Sequence, residues 1–115
     1  MQRRDKTILK KIVSEIIIGI EILGDETLEK FLIDEKTKRS IGMTAINIGE
    51  LVKSLTPEFR IENNRVAWKK VAAFRDIVAH KYETLVMTDV YNTIKKDFPE
   101  LKMQIEKILE SDMEE

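Results

Sequence analysis

Apolar residues recur at offsets of three and four through most of the chain, the spacing that lines one face of an α-helix. Leu9, Ile12, Val13, Ile16, Ile17 and Ile20 form a broad apolar stripe on a first helix, and Gly24-Asp25 stops it after Leu23. Thr27 to Ile33 predicts a short helical turn. Ile41, Ala45, Ile48, Val52 and Leu55 then alternate spacings of four and three through a second long helix. Thr56-Pro57-Glu58 ends it, because Pro57 has no amide hydrogen and disfavours helix in the residue before it. The Thr56 hydroxyl can cap the short turn that follows, and Glu62-Asn63-Asn64 reads as loop.

A third helix is predicted from about Val66 to Val78, with Trp68, Val71, Ala72, Phe74, Ile77 and Val78 mostly towards the core. Thr88 and Asp89 can cap a fourth, whose inner stripe is Val90, Ile94, Leu101, Ile105 and Ile108. Pro99 falls inside that stripe as a kink or a break, and Ser111 to Glu115 should fray. No internal repeat, low-complexity segment or sustained strand-like alternation interrupts this pattern. The expected fold is all-α: four or five helices in a bundle, as one domain over residues 1–115.

Composition narrows the chemistry. The chain has 115 residues, 43% hydrophobic and 36% charged, with 4 Gly and 2 Pro, which suits long helices with solvated faces. With no cysteine and one histidine it cannot build a disulfide framework or an ordinary structural zinc site, and no metal or cofactor is assigned. Basic residues precede an apolar run at the N-terminus, as in a secretion signal, but Lys10, Lys11, Glu15 and Glu21 break the run at helical intervals. That reads as an amphipathic helix of a cytoplasmic protein without a membrane partner. A net charge of −1 excludes the global attraction for nucleic acid of a strongly basic protein. The charge is uneven, however: from Arg65 to Lys81 five Lys and Arg face one acid, Asp76.

The only histidine lies in that basic stretch, within Arg75-Asp76-Ile77-Val78-Ala79-His80-Lys81-Tyr82. Arg75 carries a planar guanidinium suited to holding phosphate oxygens and to stabilising charge that develops on them. His80 has the side chain suited to moving a proton near neutral pH. On a continuous helix, five residues at about 100° each set the two roughly 140° apart. Both meet one ligand only if the helix ends or distorts there, or if a dimer completes the site. Asp76, one turn before His80, could orient the imidazole in a supporting role, and Tyr82 could donate to phosphate or accept a modification. Lys69, Lys70 and Lys81 are candidate phosphate contacts. Each has a plainer reading: a capping histidine, solvated charges on a helical face, and Trp68 and Phe74 as core rather than stacking platforms. Glu50, among apolar neighbours, reads as an exposed carboxylate.

The spacing Arg75-x4-His80 resembles the signature of the HEPN superfamily, and Tyr82 two residues on resembles its HepT-like branch. Ile48-Gly49-Glu50, Leu55-Thr56-Pro57-Glu58, Trp68 and Asp97-Phe98-Pro99-Glu100-Leu101 fall in the order seen in that branch, so the likeness covers most of residues 40 to 109. It implies a HEPN-type bundle that pairs as a homodimer and brings two Arg-His sets together for metal-independent endoribonuclease cleavage of RNA. Arg75 would stabilise the phosphorane, and His80 would act as general base or acid while a ribose 2′-hydroxyl attacks the adjacent phosphorus. It further implies the toxin of a type VII-like toxin–antitoxin pair, silenced by a cognate minimal nucleotidyltransferase antitoxin, with Tyr82 as AMP acceptor. Asp76 stands where the branch also uses Asn, and its carboxylate would repel substrate. The alternative is a non-catalytic HEPN module that binds nucleotide at Arg75, His80 and Tyr82 and recruits a nucleotidyltransferase.

Overall fold

In the computed structural model, which describes residues 1–114, the periodic segments become antiparallel helices. Helix α1 (Arg3–Leu23) leads through the short α2 (Leu28–Ile33) to α3 (Glu35–Ser54), and α4 (Pro57–Glu62) connects it to α5 (Trp68–His80). A 3₁₀ turn (Tyr82–Thr84) follows, then α6 (Met87–Asn92), a π-helical turn (Thr93–Asp97) and α7 (Phe98–Glu114). The backbone stays helical from α6 through the π turn into α7, so the three make one rod and the described residues form six helices and a 3₁₀ turn. No strand occurs among the described residues.

The caps at the segment joints are local and legible. Thr27 Oγ1 accepts from the Lys30 amide at 3.2 Å to start α2, and Thr56 Oγ1 accepts from the Phe59 amide at 3.2 Å to start α4. Asp34 starts α3, its carboxylate accepting from the Thr37 amide at 3.1 Å and the Thr37 hydroxyl at 2.9 Å. The fourth stripe behaves differently: α6 starts at Met87 with no side-chain cap, so Thr88 and Asp89 lie in its first turn rather than before it. Asp89 there still complements the positive helix end. Pro99 does not break the rod. The π turn just ahead of it adds a residue, and the Phe98 amide bonds the Thr93 carbonyl, which rephases the ladder where Pro99 has no amide to give. Instead of fraying from Ser111, α7 continues to Glu114, and Glu115 lies outside the described residues.

Helix α3 is central, packed on α1 along one side and α5 along the other, and α1 is backed by α7. The core is drawn from all of them, with Leu9, Ile12, Ile16, Ile41, Ile48, Val52, Val78, Ile94 and Ile105 essentially solvent-free. On α1 the inner line is Ile8, Leu9, Ile12, Ile16, Gly19 and Leu23, rotated from the expected stripe: Val13 is half-buried, and Ile17 and Ile20 are 39% and 38% exposed. Sandwiching between α3 and α7 selects that line, and Gly19 lies on it because a Cβ there would come 3.0 Å from the Thr44 side chain. Ile77 is likewise exposed, at 44%, since only one flank of α5 meets α3.

Candidate functional site

Helix α5 crosses α3 antiparallel, and their closest approach is at Gly49. A Cβ built there would lie 2.0 Å from Arg75 Cβ, so only glycine admits this packing. A mid-helix glycine costs about 1 kcal/mol of helix propensity. Here it seats the stem of Arg75 against the α3 backbone and leaves that side chain 20% exposed. Two turns earlier on the same side of α3, Gly42 receives the Tyr82 ring, with a Cβ position 3.3 Å from Cε2.

The Arg75 guanidinium is surrounded by charge. Nε lies 2.7 Å from Glu50 Oε1, with its N–H shielded from solvent and not aimed along the line to that oxygen, so this contact is an ion pair rather than a directed hydrogen bond. Nη1 donates to Asp76 Oδ1 at 3.2 Å. Lys53 Nζ donates to the same Oδ1 at 2.6 Å and lies 4.0 Å from Glu50 Oε1. Glu50, Arg75, Asp76 and Lys53 thus close a ring of alternating charge across α3 and α5. The hydrogen bond from Lys53, reinforced by that from Arg75, holds the Asp76 carboxyl below the usual aspartate range against a smaller opposing effect of burial. Partly exposed pairs of this kind add little stability. Their effect is to fix the guanidinium.

Asp76 therefore bonds Arg75 and Lys53, not His80, the partner expected for it. Its charge is offset within the ring by Lys53 and Arg75. His80 is exposed in the last turn of α5, and the helix is regular through it, with Lys81 as C-cap. The divergence of roughly 140° between Arg75 and His80 therefore persists within one chain. Tyr82 opens the 3₁₀ turn. The Arg39 guanidinium lies 5.8 Å from its ring centroid, and its hydroxyl is shielded without a hydrogen-bond partner among the described residues. Lys69, Lys70 and Lys81 are exposed. Trp68 belongs to the core: it is 5% exposed, packs against Phe59 at 5.9 Å and donates Nε1–H to the Asn63 carbonyl at 3.1 Å. Phe74 is half-buried against the same core. Among the described residues no three His, Asp or Glu side chains group to hold a metal ion.

Sequence reasoning placed Glu50 at the surface, where it is, without its role, and it missed Lys53. Their opposite charges one turn apart were the only local signal. A glycine inside an amphipathic helix was the signal for the close approach at Arg75.

Residues 10–108 match the family model described as Ribonuclease HepT-like. The chain is 34% identical over 104 residues to a protein of Caldanaerobacter subterraneus subsp. tengcongensis named "Putative RNase", covering 90% of this chain and 93% of that one. It is 30% identical over 108 residues to the "Probable ribonuclease HepT" of Thermococcus cleftensis, covering 94% and 98%. No solved structure matches.

Proposed function

Since the chain belongs to the HepT-like ribonuclease family, of HEPN type, we propose that it is a metal-independent endoribonuclease acting as a homodimer through Arg75 and His80. The observation that carries this reading is the pairing of an arginine locked in place by Glu50 and Asp76 with an exposed imidazole at the end of the same helix. His80 takes the proton from a ribose 2′-hydroxyl as its oxygen attacks the adjacent phosphorus. The bond to the 5′-oxygen breaks, leaving a 2′,3′-cyclic phosphate, and the 5′-oxygen takes a proton that solvent relays from the His80 imidazolium. Arg75 hydrogen-bonds the non-bridging oxygens, on which charge accumulates at the phosphorane. Because the two side chains diverge around α5, two copies of the chain supply a cleft in which Arg75 and His80 converge.

In the same reading the protein is the toxin of a toxin–antitoxin pair, and a minimal nucleotidyltransferase silences it by transferring AMP from ATP to the Tyr82 oxygen, which loses its proton as pyrophosphate leaves. The added phosphate would place negative charge beside Lys81 and near Arg39, whose guanidinium lies 5.8 Å from the Tyr82 ring. The unpartnered hydroxyl leaves Tyr82 without a hydrogen bond to break, although its shielding requires the 3₁₀ turn to open first.

The test is cleavage of total RNA in chelator-treated buffer by the wild type, Arg75→Ala and His80→Ala, each checked for helicity. Wild-type cutting, with each variant down at least about a hundredfold, is the expected result. Cutting retained by His80→Ala defeats the mechanism. A second reading, a non-catalytic nucleotide-binding module, draws on the balance of charge around Arg75, and nucleotide binding by an inert wild type would favour it.

A further inference from the structure

At the opposite end of α5 from His80, the elbow between α4 and α5 forms an open cavity of about 560 Å³, within the range of about 300–1,000 Å³ typical of small-molecule sites. Its floor is apolar, with Pro57 and Ile61 from α4, and its wall includes Asn64. Ile61 is 72% exposed although it lies on a structured helix. Three cations line the cavity, Arg60, Lys69 and Lys70, and no carboxylate does. Arg60 is half-buried, and its Nε is shielded with no hydrogen-bond partner among the described residues, a donor left unused inside the chain.

The cavity is in line with the reacting end of the helix. Lys69 and His80 are eleven residues apart, so on α5 they lie within about 20° of the same line and about 16 Å apart along the axis. Between them near that line are Ala73, small and exposed, and Asp76, whose carboxylate is offset by its bonds to Lys53 and Arg75. At about 3.4 Å per stacked nucleotide, 16 Å spans roughly five nucleotides.

We propose that this elbow is a second RNA subsite, in which a single-stranded base several nucleotides from the scissile bond seats on Pro57 and Ile61 while Lys69, Lys70 and Arg60 hold its flanking phosphates. An apolar floor with a cationic rim and no acid matches a base carried on a phosphate backbone, with Pro57 and Ile61 standing where general single-strand binders place stacking aromatic rings. Asn64 supplies a donor and an acceptor for the base edge. The inference rests on the ribonuclease reading and deepens it: the substrate is a single strand long enough to reach from His80 to the elbow.

The test measures binding and cleavage separately. Labelled single-stranded RNA of about ten nucleotides and a dinucleotide are titrated by fluorescence anisotropy against the His80→Ala chain, alone and combined with Ile61→Asp or Arg60→Gln. Ile61 is exposed and Arg60→Gln keeps a polar, hydrogen-bonding side chain without the charge, so both should fold, and circular dichroism checks this. Expected is tighter binding of the longer RNA, lost about tenfold or more in either combined variant, with a matching fall in kcat/KM for the long RNA relative to the dinucleotide when His80 is restored. Equal binding of both lengths, insensitivity to both substitutions, or displacement of the RNA by polyglutamate at matched charge overturns the subsite. Absence of cleavage with length-dependent, elbow-sensitive binding keeps the subsite and removes the nuclease reading instead.

Discussion

Arg75 shows how a single position can depend on residues far from it in the chain. Its stem fits only because residue 49 lacks a side chain. Gly49→Ala should raise local helix propensity by about 1 kcal/mol yet force α3 and α5 apart, an overpacking cost of about 1–3 kcal/mol. The expected outcome is a lower melting temperature and a larger loss of RNA cleavage than of stability. Gly42→Ala, whose Cβ would meet only a ring edge at 3.3 Å, is the milder control in the same melts. Asp76 gives a prediction with a defined sign. Its folded carboxyl is held below the ordinary value, so it stabilises the native state above the unfolded value of about 3.9, and that contribution is lost as pH falls through the folded value. Denaturant melts of wild type and Asp76→Asn should therefore differ at neutral pH and converge in acid. A gap that widens on acidification would contradict the hydrogen bonds from Lys53 and Arg75 as its cause.

The helices owe their ends to short-range chemistry and their mutual placement to the shared apolar core, to which one buried polar contact adds a fixed point. Asp5, 1% exposed on α1, accepts from both the amide and the hydroxyl of Thr56 at 2.8 Å. Thr56 itself caps α4, so one carboxylate ties the start of α1 to the α3–α4 joint and holds α4 ready to lead into α5. Asp5→Ala leaves the Thr56 amide without its partner and should cost about 3 kcal/mol, since hydrogen bonds to a charged group contribute about 1.5–3 kcal/mol each. Chemical denaturation measures this directly, and a loss under about 0.5 kcal/mol would mean water replaces the carboxylate. The rod from α6 to α7 makes the complementary point: a proline that ends helices elsewhere is absorbed here by a π turn.

Taken whole, the molecule is elongated, 47 × 27 × 19 Å, with apolar residues left outside. Ile18 on α1 and Met43 on α3, 45% and 57% exposed, flank the Gly19–Thr44 contact, and α3 also carries Gly49 and Glu50. If two copies pair to complete the Arg75-His80 cleft, these side chains are the ones a partner would cover. The prediction is a solution mass twice that of the 13.4 kDa chain by sedimentation, reduced to monomer by Ile18→Asp with Met43→Asp, with RNA cleavage lost together with dimer. A monomeric wild type that still cleaves RNA would show that one chain suffices.

Read without its structure, the chain already determined the all-helical class and its long helices, the cap at Thr56, the basic stretch and the Arg75-His80-Tyr82 spacing. Periodicity and capping act over three or four residues and leave their record in order along the chain. It also determined the HepT-like family, through landmarks spread over the chain. Tertiary structure alone decided which side of α1 turned inward, why Ile77 stayed outside, and that Pro99 would be absorbed. It also decided that Asp76 would serve Arg75, and that Glu50 and Lys53, more than twenty positions away, would close the ring. These outcomes depend on which helix packs against which, and contacts between distant segments have no local period to announce them.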